Sequence, residues 1–464
     1  MNTIKANKKH IVVAGGGFAG LNFIRHLYNS NYYDITLIDK NNYNYFTPLL
    51  YQVATSFLEP SSISYPFRKL FRNKGIYFRM ATVTSIDTAT NSVYLHDGAV
   101  LTYDILVLAA GSKTNFFGNE VIQRNAFSLK GIDDALLMRN ELIKVLEKAS
   151  VETDPAERKR LLTVVIAGGG PTGVEVAGML AEFKQYIFGK DYPELQSIGT
   201  EIHVVDGAPN LLQPMSDQSH ADALKRLTKM GVHVKLSTRV DSFENDKVHL
   251  SDGSIIEAKT LIWAAGVIAN TFDGISISSI NKGNRMITDD YNRVQGYDNV
   301  YAVGDISIQF GDAAYPQGHP QLAQPAIQQG TQLAKNLKRL AEGKPMKPFD
   351  YFDRGEMAII GRNYAVADLF KHKLHFGGLP GLLSWLFIHL ISLVNYNNKI
   401  KTLYGWTIAY LTKDQFLRMI FHSEDREREA AKGTDRKKMT FDESLKSYSV
   451  ATISLLLNFQ LLSK

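Results

Sequence analysis

Short, uninterrupted apolar runs alternate with longer stretches of helical periodicity along most of this chain, and one such unit occurs twice. HIVVAGGGFAGLNFIRHL at 10–27 and TVVIAGGGPTGVEVAGML at 163–180 each begin with a β-branched run, pass through three glycines and enter a helix-like segment. Apolar runs flanked by glycine in this way fit parallel strands buried on both faces. Between the two copies the pattern predicts strands over 32–38, 93–95 and 105–109 and a helix over about 133–148. After the second copy it predicts strands over 202–205 and 260–264 and a hairpin over 248–256 turning at Asp252-Gly253. A strand over 299–305 that ends in Asp305 follows, then a helix over about 325–341. Strands alternating with helices predict an α/β fold with parallel sheets, and the repeat predicts two nucleotide-binding domains of similar architecture.

The rhythm changes after EGKPMKP (342–348), a linker by its glycine and prolines. In LPGLLSWLFIHLISLVNY (379–396), Leu382, Trp385, Leu386, Leu390, Leu393 and Val394 recur at helical spacing, with Ser384, Ser392 and Asn395 on a narrow polar side. A second helix is expected over about 399–421, with Leu403, Trp406, Tyr410, Leu417 and Ile420 among Lys399, Lys401, Lys413 and Arg418. Amphipathic helices with Trp/Leu faces and cationic flanks suit an anionic membrane surface, and a packed core or dimer interface accounts for the same pattern. No run approaches the ~20 apolar residues needed to span a bilayer, so membrane contact would be peripheral. The apolar run after the basic N-terminus is too short for a signal sequence, so the chain is expected to begin in the cytoplasm. Residues 422–447 are strongly charged, and the apolar tail over 448–464 is too short to span; it has no assigned role.

Composition changes this picture at two points. The net charge of +6 would favour an anionic surface such as nucleic acid or lipid head groups, but the excess is modest and by itself marks little beyond solubility; nucleic acid is not expected as a partner. Cysteine is absent from all 464 residues, which excludes disulfides, thiolate–metal sites, cysteine redox centres and cysteine nucleophiles. No metal is expected either.

The glycines carry the chemistry. Gly15, Gly17 and Gly20 form G-x-G-x-x-G between a strand and a helix, which allows the tight turn, close approach to a pyrophosphate and helix–sheet packing. Asp39 ends the next strand, where an acid accepts hydrogen bonds from a ribose. Gly168, Gly170 and Gly173 repeat the arrangement, with Asp206 at the end of IHVVD and an insertion around 184–199 before that strand. An acid at Asp206 would repel a 2′-phosphate, so NADH is expected over NADPH. VYAVGDI (300–306) places Asp305 at a strand end before a helix, where it can bind the ribitol side of a flavin; this assigns FAD to the first glycine turn. LVLAAGS (106–112) and LIWAAGV (261–267) are expected to be the crossovers between the two domains.

The whole pattern resembles the two-dinucleotide-binding-domain flavoproteins of the glutathione-reductase-like superfamily, in which an NADH domain is inserted into an interrupted FAD domain. Branches that use cysteines beside the flavin are eliminated by composition. FTPLLYQVAT (46–55), GGGPTGVEVAG (168–178), LAQPAIQQG (322–330) and RGEMAIIGRNYAVADL (354–369) resemble the type II NADH dehydrogenases, non-proton-pumping NADH:quinone oxidoreductases. The resemblance implies two Rossmann-like domains plus a C-terminal amphipathic, membrane-anchoring helical region that also makes dimer contacts. The FAD domain would take 8–120 and 267–345, the NADH domain 121–266 and the C-terminal domain 346–425, leaving 426–464 without a role.

The same resemblance implies the site residues. Gly15, Gly16, Gly17, Phe18, Ala19, Gly20, Asp39, Lys40, Thr47, Val83, Ala110, Gly111, Asp305, Ala323, Gln324 and Arg354 would surround FAD, and Gly168, Gly170, Gly173, Glu175, Asp206 and Gly266 would bind NADH. Ala323-Gln324-Pro325-Ala326-Ile327-Gln328 would line the quinone site, where Gln324 and Gln328, at i and i+4, share a helix face. Glu175 would border nicotinamide and flavin, kept ionised by its place near a helix start. Arg354 stands where the family usually has Lys, Asp206 where Glu is usual, and Asn210 near a common Arg. The implied activity is hydride transfer from NADH to FAD, then two electrons to a membrane quinone, by a homodimer on the cytoplasmic face of the membrane. A soluble flavin-dependent reductase with another acceptor and an NADH-responsive flavoprotein scaffold are the alternatives.

Overall fold

The computed structural model describes residues 8–195, 200–370, 372–414 and 417–420. The charged stretch over 422–447 and the tail over 448–464 lie outside the described residues. The first glycine unit opens a five-stranded parallel sheet, in the order Val300–Ala302, Ile105–Leu108, Lys9–Ala14, Tyr33–Asp39, Ile76–Met80. Alternate residues of its central strand serve different cores. Ile11 and Val13 pack with the helices Phe18–Leu27 and Ala323–Ala341, while Val12 and Ala14 pack with a three-stranded antiparallel sheet (Val83–Asp87, Ser92–Leu95, Val100–Thr102). This double burial is why the run is apolar without alternation. The two helices meet closely, because a Cβ on Gly330 would stand 2.2 Å from the Ala19 carbonyl oxygen.

The second unit builds a four-stranded parallel sheet, Val232–Lys235, Ile202–Val205, Val164–Ala167, Thr260–Trp263, again backed by an antiparallel three-stranded sheet (Val240–Glu244, Lys247–Leu250, Ile255–Glu257). The chain passes between the two units on Ser112–Thr114 and Val267–Ala269, which pair antiparallel. The segments expected as crossovers therefore divide. Ile105–Leu108 is an inner strand of the first parallel sheet and Thr260–Trp263 an edge strand of the second, and the crossing is made by the residues just after them.

Residues 355–377 form an antiparallel sheet that periodicity did not predict, with strands Gly355–Ile359, Ala365–Leu369 and Leu374–Gly377. It rests on the helix that follows the second glycine turn, Pro171–Phe183. A Cβ on Gly178 would lie 2.4 Å from the Gly361 nitrogen, and Arg362 Nε donates to Glu182 Oε2 at 2.7 Å with both side chains buried. The Arg362 backbone N–H also donates to Glu182 Oε1 (2.7 Å), and Nη1 donates to the Ala409 carbonyl (2.9 Å). Removing one partner of such a buried pair leaves an uncompensated charge, so it ties three elements into one unit.

Two helices follow, Gly378–Ser392 and Tyr396–Thr412. The second stops at Thr412, where Lys413 adopts φ 53°, so Leu417 is not part of it as expected. The face expected to meet lipid also needs correction. Trp385 is 0% exposed, and Leu382, Leu393 and Trp406 are buried in the core shared with Val176, Ile359 and Ile360. The outward face is instead Leu379, Leu383 (57% exposed), Phe387 (64%) and Ile391, continued by Ile400, Leu403, Tyr404 and Leu411. Ser384 and Ser392 donate to the Pro380 and Ile388 carbonyls four residues earlier, which removes most of the polarity that marked this side in the sequence. No helix among the described residues is long and apolar enough to cross a membrane.

Candidate flavin and dinucleotide sites

Gly15 sits at φ +108°, and a Cβ there would stand 2.4 Å from the Ala109 carbonyl oxygen; one on Gly20 would stand 2.0 Å from that of Gly15. Both positions are closed by packing. Gly17 is different: a Cβ there meets no protein atom within 4 Å, because this residue faces the open cleft before the helix N-terminus. The Gly16 N–H donates to Asp39 Oδ2 (2.7 Å), so the acid at the strand end also fixes the glycine turn. Burial raises the Asp39 carboxyl, against bonds from the Asn41 and Gly16 N–H groups that favour the anion.

The cleft, about 540 Å³, is lined by Gly15, Gly16, Gly17, Phe18, Ala19, Asp39, Lys40, Thr47, Val83, Ala110, Gly111 and Asp305, all expected from the sequence. Gly20 lies behind it as packing, and Ala323, Gln324 and Arg354 do not line it. The open side of Gly17, with the helix N-terminus behind it, fits a dinucleotide pyrophosphate. Several residues here were not anticipated. Ser112 Oγ donates to Asp305 Oδ2 (2.6 Å), Lys130 Nζ donates to Ser112 Oγ (3.0 Å), and the Tyr45 hydroxyl donates to the Lys130 carbonyl (2.8 Å). Burial pulls the Lys130 ammonium below its usual value while Asp305 pulls it back up. Asn44 holds the glycine turn from the other side, donating to the Gly16 carbonyl at 2.8 Å. These residues are scattered over loops, and no spacing rule connects them.

The second turn repeats the first. Gly168 has φ +113° with a Cβ position 2.5 Å from the Ala264 carbonyl oxygen, Gly173 closes on the Gly168 carbonyl oxygen at 1.9 Å, and Gly170 opens on nothing within 4 Å. The Gly169 N–H donates to Asp206 Oδ2, as Gly16 does to Asp39, and Asp206 Oδ1 accepts from the Ala208 N–H (2.6 Å). Gly266 follows two residues after Ala264, and a Cβ there would meet the Phe117 ring at 3.1 Å.

Glu175 stands apart from the other second-turn residues. It lies in the second turn of Pro171–Phe183 and is 7% exposed, beneath Ile359 of the C-terminal sheet and Trp385 of the first C-terminal helix. Burial lifts its carboxyl well above the ordinary value, while the Ile359 backbone and the Trp385 indole pull the other way. The helix-dipole argument for an ionised Glu175 thus loses to desolvation. Buried polar groups reach toward it through the surrounding core. Tyr51, whose hydroxyl is itself raised by burial and then by Glu175, accepts from Gln52 Nε2 (2.9 Å), and Gln52 Oε1 accepts from Trp406 Nε1 (2.8 Å). FTPLLYQVAT and the C-terminal helices therefore converge on this acid.

Gln324 and Gln328 share a face of Ala323–Ala341 and grip the same segment. Gln324 Nε2 donates to the Gly355 carbonyl (2.8 Å) and its Oε1 accepts from the Arg354 N–H (3.3 Å). Gln328 Nε2 donates to the Phe352 carbonyl (2.9 Å) and accepts from the Phe352 N–H (3.0 Å). Arg354 itself is exposed.

A family model described as Pyridine nucleotide-disulphide oxidoreductase matches residues 9–330. The structure of NDH2 from Plasmodium falciparum in complex with NADH shares the fold at a TM-score of 0.82 and 21% identity, covering 90% of this chain and 100% of that one. The type II NADH:quinone oxidoreductase of Staphylococcus aureus is 30% identical over 79% of this chain and 91% of its own. Another relative, the type II NADH:quinone oxidoreductase NdhA of Mycobacterium tuberculosis, is 36% identical over 421 residues, 87% of each chain. Likeness at that level across both glycine units and the C-terminal sheet goes beyond a shared fold, and the chain belongs to the type II NADH:quinone oxidoreductase family.

Proposed function

We propose that the first cradle holds FAD, that the second admits NADH, and that electrons leave to a membrane quinone near Ala323–Ala341. The observation that carries the division is the strand Val300–Ala302, which joins the first sheet and closes its cleft with Asp305; the second sheet has no such wall among the described residues. A cleft walled on one side by Asp305 suits a resident cofactor, and a turn without such a wall suits a substrate that must leave. Bound FAD supplies the two-electron chemistry, accepting hydride from NADH and passing electrons onward.

The protein's own groups bind, orient and hold protons. Gly16, Gly17 and the helix behind them take the pyrophosphate of FAD, with Asp39 on its ribose and Asp305 on its ribitol side. Gly168, Gly170, Gly173, Asp206 and Gly266 take NADH, and the Asp206 carboxylate opposes the 2′-phosphate of NADPH. Glu175, whose carboxyl burial pushes toward the protonated form, would border nicotinamide and flavin and couple proton to hydride movement. Gln324 and Gln328 set the path of residues 352–355 and so the position of Arg354.

The outward apolar face of the two C-terminal helices, flanked by Lys399 and Lys401, supports docking on an anionic membrane surface on the side where NADH is available. A homodimer through this C-terminal region belongs to the same reading, and sedimentation of the detergent-solubilised enzyme reports it. Rapid mixing tests the division of roles. Gln324→Leu with Gln328→Leu should slow flavin reoxidation by a water-soluble quinone and leave flavin reduction by NADH nearly unchanged. Slowed reduction with normal reoxidation would assign this helix to the donor side.

A further inference from the structure

Asp305 is presented by a single turn of 3₁₀ helix, Gly304–Ile306, too short to hold itself in place. Gly304 has φ +78°, and no side chain caps the turn at Val303. Ser112 Oγ holds the Asp305 carboxylate (2.6 Å) and Gln321 Nε2 its carbonyl (2.9 Å), while the N–H that opens the turn is held from another element. Gln329, 2% exposed on Ala323–Ala341, accepts at Oε1 from the Gly304 N–H (2.7 Å), and Ser307 Oγ lies within reach of the same oxygen (3.1 Å) and of the Gly304 carbonyl (3.0 Å). The Gly304 amide and Ser307 are buried, so water cannot replace that oxygen.

We propose that Gln329 is a positioning residue for the bound flavin, acting as the remote cap of the turn that aims Asp305 into the cleft. Its neighbours Gln324 and Gln328 point to residues 352–355, so one helix carries two separate sets of amide contacts. Gln329 touches the Asp305 side, while the other two touch the Arg354 side. A buried N–H that loses its acceptor costs enough to weaken a dependent site by about tenfold or more. The inference rests on Asp305 being a flavin ligand, and the test must separate the two.

FAD release from the holoenzyme, followed by the fluorescence of the freed flavin, is the readout, with the visible spectrum and midpoint potential of the flavin that remains. Gln329→Met keeps the volume and removes the acceptor; it should speed release by about tenfold and move the potential. Gln329→Glu, which returns an oxygen to the same place, should recover most of the loss. If the Met variant fails to fold, Gln329→Asn keeps the amide but withdraws it by one methylene and should also speed release. Flavin release and potential unchanged in Gln329→Met or Gln329→Asn, with Asp305→Asn impaired, would overturn the role of Gln329 alone. An Asp305→Asn variant that retains FAD like the parent would overturn the flavin-site assignment and this inference with it.

Discussion

Gly17 separates folding from binding at a single atom. Its backbone lies at φ −71°, which any residue adopts, and a side chain there meets no protein atom. Gly17→Val should therefore fold and melt like the flavin-free parent yet purify without the flavin's visible absorbance, while Gly20→Val, aimed at the Gly15 carbonyl, should fail to fold. A yellow Gly17→Val protein would contradict the placement of the pyrophosphate. His389 offers a second residue-level test. It is buried, stacked on Trp385 at 3.9 Å, and its Nδ1 donates to the Trp385 carbonyl; burial lowers its pKa from 6.5 to about 4. The unfolded chain takes up this proton below pH 6.5 and the folded chain only near 4, so its contribution to stability is intact above pH 6.5 and shrinks as pH falls through that window. The loss reaches up to about 3 kcal/mol. Denaturant unfolding at pH 7 and pH 5 should show the difference, and His389→Gln should flatten it.

At the scale of elements, Gly378–Ser392 is apolar on both sides for two different reasons. One side fills the core under Glu175 and the other faces outward. Leu383→Glu with Phe387→Glu should leave the melting temperature nearly unchanged and abolish sedimentation with anionic vesicles. Vesicle binding that survives the pair would remove this face as the anchor. Trp385→Ala, on the opposite side, should cost roughly 3–5 kcal/mol of stability through the cavity it leaves. Sequence periodicity found the helix but chose the wrong face, because serines back-bonded to the preceding turn read as polar when they are not. The three strands of 355–377 escaped for a related reason. Gly361, Arg362 and Tyr364 interrupt the apolar alternation, and each is explained only by what it touches, Gly178, Glu182 and the Ile360 backbone N–H among them.

For the whole molecule, the linker EGKPMKP suggests a detachable C-terminal piece, and the packing denies it. Deleting everything from Gly378 onward would strip Leu382, Trp385, Trp406 and Ala409 from the core that holds Val176 and Ile359, and would leave Arg362 without its Ala409 carbonyl. Such a truncation should be insoluble or be cleaved rapidly in limited proteolysis; a soluble product melting like the full chain would refute this. Two glycine turns, each with an acid at the next strand end, were legible in the sequence because they are local: φ > 0, close packing and strand burial act over a few dozen residues and leave fixed spacings. The reading that gives the flavin to the first glycine turn also starts from the sequence, since Asp305 follows a buried strand. Only the tertiary structure placed Lys130, Ser112 and Gln329 around Asp305, and Tyr51, Gln52, Trp385 and Trp406 around Glu175. Those groupings depend on contacts between segments up to hundreds of residues apart. The same burial also raises the Glu175 carboxyl, because desolvation is a property of the packed surroundings that neighbours in the chain do not report.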